Sequence, residues 1–540
     1  ELFRVRRDER LPRDAARVTR RLLTFLVAAH VILGLYRVVV FDLDLTRIPS
    51  RLGEAGLERA GTSAVWLVLL LLASALWASL DRKDPGPASS RVAAWGLAHL
   101  SLLGLVPYIE GLAGMRLWRP AGYGMIVLSA AAAAVALLLR MRKKGGNEAF
   151  GPALGPAKAG VSVWDAATVL VLAGLLVPTV FPYVHFDAKQ IWACRAFAFR
   201  DTGSLIGVGH CSQPGYPPLF SLLLWSGLDD LLFEGRLASW LVIALFLVFL
   251  RSRLMGLLGR NAAPAAAFVA ATGHVAIGAG MFYANASLMA FLCTGLFLTL
   301  GLPMDDPRTK DGGRLRLVAG PLCLAAAVLV RPDGLVYVAV VGAAVLWERL
   351  RGGLRLPLWP FAAPLIAGLS WLARPAILRF GTSPFITPTG EWRTAGRTAS
   401  GAVAAIARVF LGSWQGQWFG HWGLGVAVPL LAGIIAWRTF RVRNVDGRRA
   451  GSPGTDFYLH VSVLSLTAVF GIYLLVPFVG DPVTAVQPFE ETEFLACYRN
   501  FIRVGMGRMT IHLLPFWVLF AASAFRDFSS IRPAGHPAEG

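Results

Sequence analysis

Long apolar runs alternate with short polar ones along nearly the whole chain. The runs fall near residues 20–41, 63–80, 92–109, 121–139, 164–184, 236–254, 262–282, 286–302, 316–330, 334–347, 357–373, 422–437, 457–479 and 508–525. Each is near the length an α-helix needs to cross a bilayer, roughly 20 residues. Lipid offers the backbone no hydrogen-bond partner, so a spanning segment is helical or belongs to a closed barrel. Barrel strands alternate polar and apolar residues, and these runs do not. The pattern therefore predicts an all-α, polytopic integral membrane protein with about fourteen transmembrane helices.

One apolar run breaks this rhythm. The stretch "PPLFSLLLWSGLDDLLF", residues 217–233, is short and ends at Asp229, Asp230 and Glu234. As a span, it would turn every later basic loop to the opposite side. It is expected instead to lie in the outer interface, started by Pro217 and Pro218. Residues 185–235 then form one large outer loop with interfacial helices.

Composition agrees with the pattern. Of 540 residues, 56% are hydrophobic and 16% charged, where a soluble domain has about 25% charged. The formal charge of +20 does not call for a nucleic acid partner, because most Lys and Arg lie in short loops between apolar runs. That is the positive-inside pattern. A cytoplasmic N-terminus puts "LDRKDPGPASSR", "RMRKKGGNEAFGPALGPAKAG", "RSRLMGLLGR", "DDPRTKDGGRLR", "ERLRGGLR" and "RTFRVRNVDGRR" inside. It puts "FDLDLTRIPSRLGEAGLE", "VPYIEG", "ANAS" and "FEETEF" outside. Residues 374–408, with Arg374, Arg379, Arg393, Arg397 and Arg408, are the basic exception on the outer side.

The chain reads as a four-span module (1–145), a basic cytoplasmic linker (146–163), a membrane core (164–525) and a cytoplasmic tail (526–540). The module has no assigned role. The opening basic stretch from Glu1 shows no small-residue cleavage site after the first apolar run, so no cleaved signal peptide is expected. High Ala, Gly, Arg and Leu usage fits a high-GC bacterium and hence its inner (cytoplasmic) membrane. None of the five cysteines has metal-ligand spacing, which removes zinc and iron–sulfur readings. Cys194 and Cys211 share the outer loop and would pair in an oxidising compartment.

The outer loop opens with "HFDAKQIWACRAFAFRDTGSLIGVGHCSQPGYPPLF", residues 185–220. Asp187 stands at the bilayer edge, where an ionised carboxylate is costly and usually has a task. A helix N-cap is the plainer account. In the helix that follows, Lys189 and Arg200 are eleven residues apart and share a face. Ile191, Trp192, Ala198 and Phe199 line an apolar side expected to lie in the interface. Basic groups at headgroup level beside a carboxylate suit a phosphorylated lipid next to an acid–base residue. Ordinary interfacial anchoring accounts for the same Trp, Lys and Arg.

An Asp after a long span, an amphipathic outer helix, a Gly-containing turn, then Tyr216-Pro217-Pro218-Leu219-Phe220 and a short hydrophobic helix resemble the first outer loop of GT-C glycosyltransferases. Within them the likeness is to the branch of protein O-mannosyltransferases and of the transferase that places aminoarabinose on lipid A. Members commonly carry HPPL where this chain has YPPL. The likeness is clear over residues 164–255 and weaker to about 525. "FYANASLMAF" (282–291) is similar to an outer element that often reads YAD in relatives, with Asn285 replacing the acid. "LVRPDGLVYV" (329–338) is similar to a basic–x–acidic–Gly turn made here by Arg331, Asp333 and Gly334. Pro-Asp-Gly also makes a good turn anywhere. In "CYRNFIRVGMGRMTIHLLPFW" (497–517), Arg508 stands where the family's basic residue helps hold the lipid phosphate. Arg499, Arg503 and Arg508 also read as snorkelling anchors.

The resemblance implies a GT-C-like core and an inverting transfer of sugar from a polyprenyl-phosphate donor. The acceptor would be a glycan, lipid or protein at the outer face. Asp187 would be the catalytic base, and Lys189, Arg195, Arg200 and Arg508 would bind the donor phosphate. Tyr216, Asn285, Arg331, Asp333 and His512 would bind substrate. Many relatives carry two adjacent acids in this loop, whereas Ala188 follows Asp187 here. With Asn285 also neutral, a divalent Mg or Mn is poorly served and no cofactor is firmly expected. Glu490, Glu491 and Glu493 read as a solvated acidic loop, and "GSWQGQWFGHWGLG" (412–425) as an aromatic belt or a sugar platform. Two other readings stand beside this one. A transporter or flippase of a lipid-linked or anionic substrate would need ionisable residues at span centres, where His274 and His460 are the main ones. A polysaccharide polymerase or ligase would place its large arginine-bearing loop late in the chain.

Overall fold

The computed structural model describes residues 24–25, 27–36, 57–81, 87–118, 120–144, 162–180, 188–206, 208, 211, 216–226, 233–272, 284–300, 315–350, 358–377, 461, 463–464, 467, 512 and 514–519. Among them every regular element is helical. In chain order they are α1 (Val27–Tyr36), α2 (Leu57–Leu80), α3 (Ala88–Leu112), α4 (Pro120–Lys144) and α5 (Val163–Val180). A π-turn, Ala188–Ala193, leads into α6 (Cys194–Thr202), followed by α7 (Leu219–Trp225), α8 (Phe233–Leu258) and α9 (Ala262–Ala271). The remainder are α10 (Ala284–Leu300), α11 (Gly320–Val330, entered through a π-turn), α12 (Pro332–Leu350) and α13 (Ala362–Ile377). The predicted segments from 63–80 to 357–373 each meet one of these helices. Those at 422–437 and most of 457–479 lie outside the described residues.

By length and composition three described helices can cross a membrane: Ala88–Leu112, Pro120–Arg142 and Leu237–Gly256. Together with the shorter apolar helices they mark a membrane-associated protein. The sorting of side chains agrees. A helix apolar on every side is buried or faces lipid, and both cases occur. Every residue of α10 is buried within the protein, whereas α4 leaves Val127, Leu128, Val135, Leu138 and Leu139 exposed. On α13, Leu365, Ile366 and Leu369 are exposed in the same way. Exposed apolar surface on this scale is foreign to a soluble monomer.

The helices join at both ends of the bundle. At one end the Asp81 carboxylate accepts from the Leu315 N–H at 2.6 Å, and Ser89 and Ser252 share a 2.8 Å hydrogen bond. There Ser162 and Asp165 form a reciprocal capping box on α5. Arg251 of α8 closes on Asp165 with one guanidinium edge, Nε donating to Oδ1 and Nη2 to Oδ2 at 2.8 Å. At the other end Leu117 donates to the Gly203 carbonyl at 2.9 Å, Tyr123 to the Ser226 carbonyl at 2.6 Å, and Tyr108 meets Ser370 at 2.9 Å. Leu80, Arg140 and Arg251 thus gather at the first end, and Gly203 and Ser226 at the second.

Three expectations are corrected here. First, α7 does not lie in an interface. All seven of its residues are buried, because "LFSLLLW" has only Ser221 to offer water and so finds protein on every side. Its Leu219 fills the notch at Gly104 of α3. Second, the apolar side of the 188–202 helix, with Ile191, Trp192, Ala198 and Phe199, is buried in the protein core. Third, the helices before residue 145 share one hydrophobic core with those after 164, from Trp66 through Leu224 to Trp517. The boundary is therefore one of sequence rather than packing.

Candidate functional site

The segment between α5 and α8 is fastened to the bundle by local chemistry. Cys194 and Cys211 form a disulfide across 17 residues with a Cα–Cα distance of 5.8 Å, well within the span such a bond allows. Gly203 ends α6 in the left-handed region at φ 63°, where glycine meets no Cβ penalty. Arg195 is 1% exposed, and its Nη1 donates to the Pro217 carbonyl at 3.3 Å. A buried carbonyl needs a donor, so Arg195 braces the Pro-Pro corner from beneath. That placement departs from the headgroup role expected for it. Arg200 behaves differently: it is partly exposed, pairs with Asp201 at 2.8 Å and lies over the Phe197 ring at 4.9 Å.

The braced corner presents Tyr216. Its ring lies against Trp192, centroids 5.8 Å apart, and the Arg331 guanidinium stands 5.6 Å from its centroid. Arg331 is the single extended residue between α11 and α12, at φ −151° and ψ 154°. Its Nε and Nη2 both reach Asp333 Oδ2 at 3.0 Å. Asp333 lies in the first turn of α12, where the helix dipole favours a carboxylate. The pair is only partly covered, at 15% and 18% side-chain exposure, so it is reachable.

Gly334 makes this geometry possible. A Cβ there would stand 2.8 Å from the Ala327 carbonyl carbon and 3.0 Å from Val328 Cα. "RPDG" is thus a sharp helix-to-helix junction in which α12 starts against the end of α11.

His512 reaches the same end from far along the chain. Its Nδ1 shares a 3.3 Å hydrogen bond with the Tyr337 hydroxyl, their rings set edge to face at 5.4 Å. Cys293 of α10 donates to its carbonyl at 3.5 Å. Arg331 is close enough to act electrostatically on its ring. Gly295 packs on Leu324 and Gly320 on Thr299, so α10 and α11 run antiparallel. Asn285, at the start of α10, is 2% exposed.

Tyr216, Arg331, Asp333 and His512 therefore come together, whereas Asn285 is buried in the first turn of α10. Lys189 belongs to the Ala188–Ala193 turn. Asp187, Arg508, the acidic residues from Glu490 to Glu493 and the 412–425 aromatic segment lie outside the described residues. Sequence reasoning passed over Tyr337 and the bracing side of Trp192. The Tyr337 signal was present: it is four residues after Asp333 on one helix, hence on the same face. Compared with protein families, curated proteins and solved structures, the chain matches none of them.

Proposed function

We propose that the protein is an inverting, GT-C-type glycosyltransferase of a bacterial inner membrane. It has about fourteen spans, cytoplasmic termini and its site at the outer face. The donor is a polyprenyl-phosphate sugar and the acceptor a hydroxyl of a glycan, lipid or protein. Asp187 takes the acceptor proton as the new glycosidic bond forms. The polyprenyl phosphate leaves with the electrons of the old bond, and Lys189, Arg200 and Arg508 balance its charge.

One observation carries the reading. Residues singled out in the first outer loop, at the "RPDG" junction and within the last apolar run, far apart in sequence, share one end of the bundle through Tyr216, Arg331, Asp333 and His512. The Cys194–Cys211 bond supports an oxidising, non-cytoplasmic setting for that end.

The test is transfer of radiolabelled sugar from polyprenyl-phosphate donors by the purified full chain, with Asp187→Asn alongside. Wild-type transfer and a loss of about a hundredfold or more in the variant is the expected result. Equal rates reduce Asp187 to a helix cap. No transfer with any donor, while liposomes carrying the protein move a lipid-linked sugar across, makes it a flippase instead.

A further inference from the structure

Helices α2, α3 and α4 are joined by a chain of hydrogen bonds whose direction is fixed atom by atom. Ser74 of α2 donates to the Leu70 carbonyl at 2.7 Å, one turn back on its own helix. Its proton is thereby committed, so toward His99 Nδ1, 3.2 Å away, it accepts. His99 of α3 therefore carries its proton on Nδ1 and leaves Nε2 bare. Ser129 of α4 donates to that Nε2 at 3.0 Å. Ser129 Oγ in turn receives the Trp77 indole N–H at 2.8 Å, and the Trp77 ring is stacked on Trp95 at 4.9 Å. Every donor in the chain is met, and the last one ends on a backbone carbonyl. Such a chain is a lock between helices and not a proton relay.

α4 is the helix that needs one. Between Tyr123 and Arg140 its only polar side chain is Ser129, followed by five alanines. One side of it is exposed along its length. Lipid tails are as apolar as its own Leu and Val, so no hydrophobic force sets its rotation. The Ser129 pairing does.

That rotation matters six residues earlier on the same helix. There the Tyr123 ring lies edge-on to Trp66 of α2, and its hydroxyl donates to the Ser226 carbonyl at 2.6 Å. Ser226 caps α7, whose last carbonyls have no partner within the helix. A seven-residue helix does not persist on its own propensity. α7 is instead held from both ends, by Arg195 at the Pro217 carbonyl before it and by Tyr123 at Ser226 after it.

We propose that α4 is a strap on the bundle: the Ser74–His99–Ser129 chain locks its rotation, and Tyr123 thereby holds α7 and the Tyr216-Pro217-Pro218 corner from which α7 starts. The segment before residue 145 then has a task, which is to position that corner without adding a residue to it. The strap does not depend on the reaction proposed above.

The experiment is hydrogen–deuterium exchange with mass spectrometry on the full chain in lipid nanodiscs, following peptides within residues 203–226. Ser129→Ala opens the lock at a distance from α7, Tyr123→Phe removes the tie itself, and Leu128→Ala on the exposed side is the control. Exchange in that segment should quicken about threefold or more in the first two, the average worth of one hydrogen bond between helices in a membrane. The control should match wild type, and the double variant should exchange no faster than Tyr123→Phe alone. Solid-state 15N NMR of the histidine-labelled wild type should show a neutral ring with its proton on Nδ1, a signal lost in His99→Gln. The strap is overturned if Ser129→Ala leaves exchange within 203–226 unchanged, if Leu128→Ala quickens it equally, if the two effects multiply in the double variant, or if the His99 proton sits on Nε2.

Discussion

Tyr216 is held between the Trp192 ring and the Arg331 guanidinium, so it serves less as a platform than as a spacer. It transmits the position of a disulfide-bonded loop to an ion pair on another helix. Gly334 has a comparable effect on the backbone, since the end of α11 fills the space a side chain would need. Gly334→Ala should push α12 away and cost about 1–3 kcal/mol, read as a lowered unfolding midpoint in detergent. The chemistry of these residues was legible in the sequence, and their company was not. Arg331, Asp333 and His512 are polar groups in an apolar chain, which makes them conspicuous. Arg195 was equally conspicuous and was misplaced, because nothing local says whether a guanidinium beside aromatics turns to a headgroup or to a buried proline carbonyl.

Among the elements, α6 and α7 show where periodicity stops being informative. Six apolar residues and a serine satisfy an interfacial helix, a truncated span and a buried plug alike, and tertiary packing against α3 decides among them. The longer segments from 63–80 to 357–373 each meet a helix, and three of the described helices have the length and composition to cross a membrane. The disulfide closes a 17-residue separation, and a loop of that size is worth about 3 kcal/mol of chain entropy. Replacing both cysteines with serine should therefore loosen α6 against α7 and free the Tyr216 corner. The expected readout is faster proteolysis within residues 203–216. Unchanged cleavage would mean that Arg195 and the buried face of α6 hold the loop unaided.

At the scale of the whole molecule, the orientation expected from the loop charges is open to a direct check. Ala113 and Arg142 are exposed at opposite ends. In a Cys497→Ser background, Ala113→Cys should react with an impermeant maleimide on intact cells. Arg142→Cys should react only after permeabilisation. The reverse pattern would place the Tyr216 end in the cytoplasm and remove the setting proposed for it. The shared core also ties the beginning of the chain to its middle. His30 of α1 hydrogen-bonds the Phe268 carbonyl, 238 residues later, and Gly34 lies against Ala271. At about 5–20 residues per second, that partner leaves the ribosome on the order of tens of seconds after His30 does. During biosynthesis α1 must therefore wait with an imidazole unmatched in or beside the membrane. The insertion machinery shelters it until α9 arrives, which makes docking of the first helix one of the later steps of assembly.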